Sequence, residues 1–185
     1  MACKGSGVRL PSAPQLKLIN TGEIRLNTVT IPDRWSSANL PDLSGKKFVI
    51  TGGTSGLGLA TATELARRNA HVVITARTAA KGAAAVKQIG PGKVDVLEMD
   101  LTDLSTVHSA AKQLTGQIDV LILNAGVMAT PFTKTKDGFE LQMGTNHLGH
   151  FALAGLLHKQ VRERMVVVSS FALSLIHISE PTRRS

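Results

Sequence analysis

A glycine-rich stretch in the first third of the chain carries residue types suited to binding a phosphate group. Residues 51–58 read TGGTSGLG, a Gly-x-x-x-Gly-x-Gly spacing. Glycines permit a tight turn and let the backbone approach a pyrophosphate closely, and free amides at a helix start would hold its negative charge. An ordinary flexible turn is the alternative interpretation. The candidate dinucleotide-binding residues here are Thr51, Gly52, Ser55, Gly56, Leu57 and Gly58.

Two further strand ends carry residues that could bind the rest of a dinucleotide. Arg77 follows the second predicted strand, where an NAD-selective fold usually places an acid, and an arginine suits the 2′-phosphate of NADP. Asp100 and Leu101 follow the third strand, and the Asp100 carboxylate could accept a hydrogen bond from an adenine amino group. Asp103 fits the N-cap of the next helix better, which leaves Asp100 for a ligand. We therefore predict NADP(H) as the preferred cofactor, with NAD(H) and a merely solvent-exposed arginine as the alternatives.

Small and polar residues at three later positions complete the candidate site. The sequence Asn124-Ala125-Gly126 ends the fourth strand, where small residues leave room for a ribose and the Asn124 amide can bridge neighbouring strands. Asn146 lies within a predicted helix, where asparagine is mildly unfavourable, so we expect it to have a specific role. Ser170 follows the fifth strand, where its hydroxyl would face the ligand crevice as a polarising hydrogen-bond donor.

The elements that must position these residues alternate between strands and helices. Short apolar runs predict five strands, at residues 47–51, 72–75, 94–99, 118–123 and 165–169. Apolar spacing predicts helices at residues 59–68, 79–88, 104–114 and 138–158. This alternation is typical of βαβ units and a parallel sheet. The sequence thus predicts an α/β, Rossmann-type doubly wound fold.

Composition and charge narrow the function classes. The 185 residues are 43% hydrophobic, which suits one globular domain, and the net charge of +8 suggests a nucleic-acid partner. Residues 48–158, however, carry nine Lys/Arg against eight Asp/Glu, so the excess lies at the chain ends and we expect no nucleic-acid binding. One cysteine gives no disulfide framework, and no apolar run approaches the roughly 20 residues of a membrane span. His147 and His150 have helical spacing, but no third ligand completes a metal site.

Taken in order, these motifs resemble the short-chain dehydrogenase/reductase family. The matching residues are 51–58 (TGGTSGLG), Asp100-Leu101, 124–127 (NAGV), Asn146 and Ser169-Ser170, and the resemblance spans about residues 35–172. The stretches at 40–45 (LPDLSG) and 146–151 (NHLGHF) look most like the retinol-dehydrogenase and WW-domain-oxidoreductase branch. The resemblance implies hydride transfer between a nicotinamide cofactor and an alcohol or carbonyl, with a retinoid, steroid or other lipophilic substrate.

The resemblance also implies a role for each matching residue. The glycine loop would bind the diphosphate, Asp100 the adenine, and Asn124 would lie near the adenosine ribose. Asn146 would distort its helix and hold a water in a proton relay, and Ser170 would hold the substrate oxygen. The family's general acid/base is a tyrosine whose pKa is lowered by a lysine, but this chain has no tyrosine and no lysine after Lys159. We therefore expect the chain as written to be inactive, and a catalytically inactive dinucleotide-binding protein is the alternative function.

We divide the chain into three segments. Residues 1–40 are an irregular leader, basic enough to leave organelle targeting open beside a cytoplasmic location. Residues 41–172 are a partial Rossmann domain that lacks the family's last strands and its Tyr–Lys helix, and the complete protein could form a homo-oligomer. Residues 173–185 are interpreted as a non-native tail, because 173–183 (LSLIHISEPTR) equal one translated frame of a common transposase sequencing adapter.

Overall fold

The computed structural model describes residues 35–170 of the chain. From Ser36 onward they belong to the second of two compact units into which the chain divides. Most of the predicted leader and all of the predicted tail lie outside the described residues. The regular elements are a 3₁₀ turn (Ser37–Asn39), β1 (Lys47–Ile50), α1 (Gly56–Arg67), β2 (His71–Ala76), α2 (Ala79–Ile89), β3 (Lys93–Glu98), α3 (Leu104–Gln113), β4 (Ile118–Leu123), a π-helical segment (Met143–Leu148), α4 (Gly149–Leu157) and β5 (Val161–Val167).

The five strands form one parallel sheet with the order β3-β2-β1-β4-β5. The chain runs outward from β1 to β3 and then returns to the other side of β1 at β4, which is the doubly wound arrangement. Ile50 pairs with Ile74 on one side and with Ile122 on the other, so the carboxyl ends of β1, β2 and β4 lie side by side. The predicted α/β Rossmann-type fold with about five strands is confirmed.

Alternate strand residues pack into two hydrophobic cores, one on each face of the sheet. Phe48 and Ile50 of β1 contact the face covered by α1 and α2, whereas Val49 contacts the face covered by α3 and α4. A parallel sheet buried on both faces is built from nearly continuous apolar runs. The helices contribute Ala62, Leu65, Ala66, Ala85 and Ile89 to the first core, and Val107, Ala110, Ala111, Leu153 and Leu157 to the second.

The long helix predicted over residues 138–158 is wrong at its start. Gly138 has a φ of +86°, a left-handed value, and Glu140 takes part in an isolated antiparallel β-bridge. Helical structure begins only after Glu140, whose carboxylate accepts hydrogen bonds from the N–H groups of Gln142 (2.9 Å) and Met143 (2.8 Å). These hydrogen bonds satisfy amides that a helix start leaves unpaired, and they lower the pKa of Glu140.

The fifth strand also begins earlier than the predicted range of 165–169. It spans Val161–Val167 and includes the charged residues Arg162, Glu163 and Arg164, which do not follow an apolar strand pattern. Within the described sheet β5 pairs only with β4, so these charged side chains can face solvent along its open edge. The Glu163 carboxylate binds the Lys46 ammonium group, which raises the pKa of Lys46.

Candidate functional site

The glycine loop joins β1 to α1 and brings the backbone close to the end of β4. Gly52 and Gly56 have φ values of +68° and +53°, left-handed conformations that favour glycine. A Cβ atom on Gly52 would lie 2.9 Å from the Cα of Ala125, and one on Gly58 would lie 2.4 Å from the Gly52 carbonyl oxygen. A Cβ atom on Gly56 would meet nothing within 4 Å. Packing inside the protein therefore requires Gly52 and Gly58, whereas Gly56 borders open space that a ligand could fill.

Thr51 is fully buried and lies beneath this loop, not on the wall of the cavity described below. Its hydroxyl oxygen accepts hydrogen bonds from the N–H groups of Asn124 (2.9 Å) and Ala125 (3.0 Å), which occupy both lone pairs. The hydroxyl proton is therefore donated to His150 Nε2, at 2.8 Å. This makes His150 neutral, with its proton on Nδ1 and donated to the Asn146 carbonyl oxygen at 3.0 Å. Burial lowers the pKa of His150, which favours the same neutral form.

Two asparagine side chains fasten the end of β4 to its surroundings. The Asn124 amide nitrogen donates to the Thr51 carbonyl oxygen at 3.0 Å, so the predicted bridge between neighbouring strands is confirmed. The Asn146 side chain accepts from the Val127 N–H and donates to the Val127 carbonyl oxygen, each at 2.8 Å. Asn146 lies in the π-helical segment Met143–Leu148, so the helix distortion implied by the resemblance is present at this residue.

The two aspartates after β3 differ in their partners. The Asp103 carboxylate accepts the Ser105 N–H at 2.9 Å and caps α3, as predicted. A hydrogen bond from Lys136 Nζ, at 2.6 Å, lowers the pKa of Asp103 to about 2. Asp100 borders the cavity, but its Oδ1 atom already accepts hydrogen bonds from the N–H (2.9 Å) and hydroxyl (2.8 Å) groups of Thr102. A ligand would therefore meet an Asp100 carboxylate held in a fixed orientation.

These segments surround a cavity of about 700 Å³ beside the carboxyl ends of the strands. In a doubly wound sheet this is the expected place for a ligand, and the volume is in the usual range for cofactor sites. The predicted site residues on its wall are Gly52, Ser55, Leu57, Arg77, Asp100, Leu101, Asn124, Ala125 and Gly126. The predicted residues outside the wall are Thr51, Gly56, Gly58, Asn146 and Ser170.

Sequence reasoning missed several residues of the wall, among them Thr54, Thr75, Lys81, Thr102, Val127 and Thr145. Lys81 could have been found, because it lies in the first turn of α2, directly after the strand end that carries Arg77. Both side chains are exposed, and within residues 35–170 neither charged group has a hydrogen-bond or ion-pair partner. Two unpaired cations at one cavity can bind an anionic group.

The cavity wall also contains a buried hydroxyl that lacks a partner. Thr145 is 7% exposed, and among the described residues nothing hydrogen-bonds its Oγ1 atom. Buried polar groups are nearly always hydrogen-bonded, so this atom indicates a polar ligand or water in the cavity. With the open space at Gly56 and the two cations, the residues present fit a phosphate-bearing nucleotide.

Neither a metal site nor a membrane-spanning helix is found in the part of the chain that the structure describes. Residues 35–170 contain no group of three or more His, Cys, Asp or Glu side chains arranged to hold a metal ion. The helices within the same range are all too short or too polar to cross a membrane. His150, one of the two histidines at helical spacing, is used instead in the hydrogen bond to Thr51.

Comparison with known proteins identifies the family. The model of the short chain dehydrogenase family matches residues 46–175. The chain belongs to this family. It is 38% identical to Homo sapiens retinol dehydrogenase 11 over 179 residues, which is 90% of this chain and 52% of that protein, and this confirms the predicted likeness to the retinol-dehydrogenase branch. The chain spans about half the length of the curated relatives it matches.

Solved structures of other proteins share the fold. An uncharacterized protein from Mycobacterium paratuberculosis has 47% sequence identity and a TM-score of 0.71, over 82% of this chain and 57% of that chain. The 3-ketoacyl-(acyl-carrier-protein) reductase from Brucella melitensis, solved in complex with NADH, has 27% identity and a TM-score of 0.53, over 64% of this chain and 51% of that chain.

Proposed function

We propose that the complete protein is an NADP(H)-dependent oxidoreductase that transfers a hydride between the nicotinamide and an alcohol or carbonyl group of a small molecule. The observation that carries this proposal is the cavity at the carboxyl ends of the strands, walled by the glycine loop and by the ends of β2, β3 and β4. Dinucleotides bind in this crevice of doubly wound sheets. The likeness to retinol dehydrogenase 11 makes retinoids the first substrates to test, with steroids and other lipophilic molecules next.

The choice of NADP(H) over NAD(H) rests on charge at the end of β2. Arg77 and Lys81 border the cavity there, and residues 76–81 (ARTAAK) contain no acid that would bind the ribose hydroxyls of NAD(H). Glu98 approaches the start of α2, but its carboxylate accepts the Ala79 N–H at 3.1 Å and so serves as a helix cap. A guanidinium and an ammonium group together favour the dianionic 2′-phosphate.

The remaining site residues would bind and orient the reactants. A bound cofactor would donate or accept the hydride. The amides at the start of α1 would hold its diphosphate, and the Asp100 carboxylate would accept a hydrogen bond from its adenine amino group. Asn146 holds the loop after β4 through Val127, which fixes one side of the cavity. Ser170 would hold the substrate oxygen, a role that comes from the family resemblance because Ser170 does not line the cavity.

The family's general acid/base for proton transfer is a tyrosine, and this chain does not contain that residue. None of its 185 residues is a tyrosine. A positioned general acid or base contributes about 10²–10⁴-fold to a rate. We therefore propose that the 185-residue chain itself is inactive. The same absence favours a second candidate function, a catalytically inactive dinucleotide-binding protein.

Nucleotide binding and turnover measured together distinguish these functions. The complete protein, expressed from its natural gene, and the 185-residue chain would be titrated with NADPH and NADH by calorimetry and assayed with retinal, steroid ketones and simple aldehydes. We expect tighter binding of NADPH and turnover by the complete protein only. Binding without turnover in the complete protein would favour the inactive form. Failure to bind either nucleotide would refute both functions, and turnover by the 185-residue chain would mean that it holds another proton donor.

Three further expectations concern partners and location. An absence of nucleic-acid binding, a homo-oligomer of the complete protein and a cytoplasmic location all stay predictions. Salt-dependent retention of the protein on DNA would contradict the first of them, because phosphate contacts weaken steeply as salt rises.

A further inference from the structure

Thr145 stands out because its hydroxyl is buried without a partner while it borders the cavity. Its residue exposure is 7%, and among residues 35–170 only Thr130 shares the condition of a buried hydroxyl that makes no hydrogen bond. Thr130 does not line the cavity, whereas Thr145 does. Because burying an unpaired hydroxyl is unfavourable, its retention at a cavity wall points to a partner that arrives with the ligand.

The local helix geometry explains why the Thr145 hydroxyl is unpaired. In α1 the hydroxyl of Thr63 donates to the Leu59 carbonyl oxygen at 2.8 Å, the usual bond to the preceding turn of an α-helix. Thr145 lies in the π-helical segment Met143–Leu148, where backbone hydrogen bonds span five residues instead of four, and it makes no such bond. The distortion therefore leaves this hydroxyl buried at the cavity wall without the bond to the preceding turn.

The neighbours of Thr145 place it between the ends of β3 and β4. One residue further on, Asn146 grips Val127 after β4 through two hydrogen bonds of 2.8 Å. One turn further on, a Cβ atom on Gly149 would lie 2.7 Å from the carbonyl oxygen of Leu101, so this helix packs directly against the end of β3. Thr145 lines the same cavity as Asp100 and Asn124, the residues to which the family resemblance assigns the adenine and its ribose.

We propose that the Thr145 hydroxyl hydrogen-bonds the adenosine half of the bound NADP(H). This inference rests on the proposed function, since it assumes a dinucleotide in the cavity. It adds a binding residue that follows from the orphaned hydroxyl, the π-helical distortion and the position between two strand ends. Thr145 would lower the stability of the nucleotide-free protein and raise its affinity for the nucleotide, because the hydroxyl makes a hydrogen bond only when the nucleotide is present.

Three variants of the complete protein test the inference. Thr145→Val removes the hydroxyl and keeps the branched shape, Thr145→Ser keeps the hydroxyl, and Thr130→Val removes the other unpaired hydroxyl away from the cavity. Affinities for NADPH and for 2′,5′-ADP, which carries only the adenosine half, would be measured by calorimetry. The melting temperature of each variant would be measured without nucleotide.

We expect Thr145→Val to lower the affinity for both ligands by about 3- to 10-fold, the effect of losing one neutral hydrogen bond. Its melting temperature without nucleotide should equal or exceed that of the parent, and Thr145→Ser should retain most of the affinity. Thr130→Val should match the parent in both affinities.

Unchanged affinity of Thr145→Val for 2′,5′-ADP would overturn the inference. So would a lower melting temperature of the empty Thr145→Val variant, which would reveal a structural partner for the hydroxyl. A parent protein that binds neither ligand would instead refute the proposed function itself, so the two failures are distinguishable.

Discussion

Replacing either of two glycines in the loop between β1 and α1 with alanine should impair the protein, but for different reasons: one change lowers its stability and the other its affinity for NADPH. In Gly58→Ala the new Cβ atom would lie 2.4 Å from the Gly52 carbonyl oxygen and 2.6 Å from the Asn124 amide nitrogen. That amide nitrogen also donates to the Thr51 carbonyl oxygen, so the Asn124 side chain cannot move away without breaking this hydrogen bond. Overpacking of this kind costs about 1–3 kcal/mol, which lowers the melting temperature by about 2–12 °C in a protein of this size.

Gly56→Ala should instead act mainly on the ligand. A Cβ atom there meets nothing within 4 Å, so the change costs only the left-handed conformation at φ +53°, about 1–2 kcal/mol. The lower entropy of the unfolded chain offsets about 0.4–1 kcal/mol of this. The amides at the start of α1 are the proposed diphosphate site, and a methyl group on Gly56, the first residue of α1, would occupy part of the open space there. NADPH affinity should therefore fall about 5- to 150-fold, as expected for overpacking of about 1–3 kcal/mol.

The assay compares melting temperature without nucleotide and NADPH affinity by calorimetry, in the complete protein. Gly155→Ala is the matched control, because a Cβ atom there also meets nothing within 4 Å and the residue lies on an exposed part of α4. It should leave NADPH affinity unchanged and stabilise the protein by about 0.5–1 kcal/mol. If Gly56→Ala binds NADPH as tightly as the parent, the loop is only a turn. If Gly58→Ala melts at the parent temperature, the close packing against Gly52 and Asn124 is wrong.

The remaining predictions concern charge and protonation. Arg77→Asp should weaken NADPH binding by about 1.5–3 kcal/mol, the value of a charge-assisted contact. Lys81→Ala should weaken NADPH binding to a smaller extent, and both changes should have little effect on NADH binding. Calorimetry that gives the parent equal affinity for both cofactors would contradict this prediction. Burial lowers the pKa of His150 from 6.5, so the unfolded state binds its proton first as pH falls. The free energy of unfolding should therefore decrease below about pH 6.5 and level off below the lowered folded pKa. Urea titrations should lose much of this slope in His150→Gln and keep most of it in His147→Gln, because the charge of His147 contributes less than burial to the lowered pKa of His150. An unchanged slope in His150→Gln would argue against the buried neutral histidine.

The sequence was sufficient for elements whose pattern is local. The strand predicted at residues 118–123 matches β4 (Ile118–Leu123), and the helix predicted at 79–88 is within one residue of α2 (Ala79–Ile89). Continuous apolar runs identify strands that are buried on both faces. The same pattern does not identify the start of the edge strand β5, which contains Arg162, Glu163 and Arg164. Exposed residues of an edge strand can be charged without alternating with apolar ones.

Strand ends were the productive positions for predicting the site. Gly52, Arg77, Asp100 and Asn124 were proposed because each follows a predicted strand, and all four line the cavity. Thr145 could not be found in this way, since it lies in a π-helical segment that no local sequence pattern indicates, and not at a strand end. The same holds for the hydrogen bond between Thr51 and His150, which joins residues far apart in the sequence.

Thr51 shows how a motif residue can serve the site without touching the ligand. Its hydroxyl oxygen accepts two amides from the end of β4, and its proton is committed to His150 on the helix before β5. A cofactor therefore has no open position on this hydroxyl. The next link runs from His150 to the carbonyl of Asn146, whose side chain holds Val127. A single threonine thus helps to hold the glycine loop, the end of β4 and the π-helical segment in one arrangement. Its value to cofactor binding lies in fixing the relative positions of three walls of the cavity.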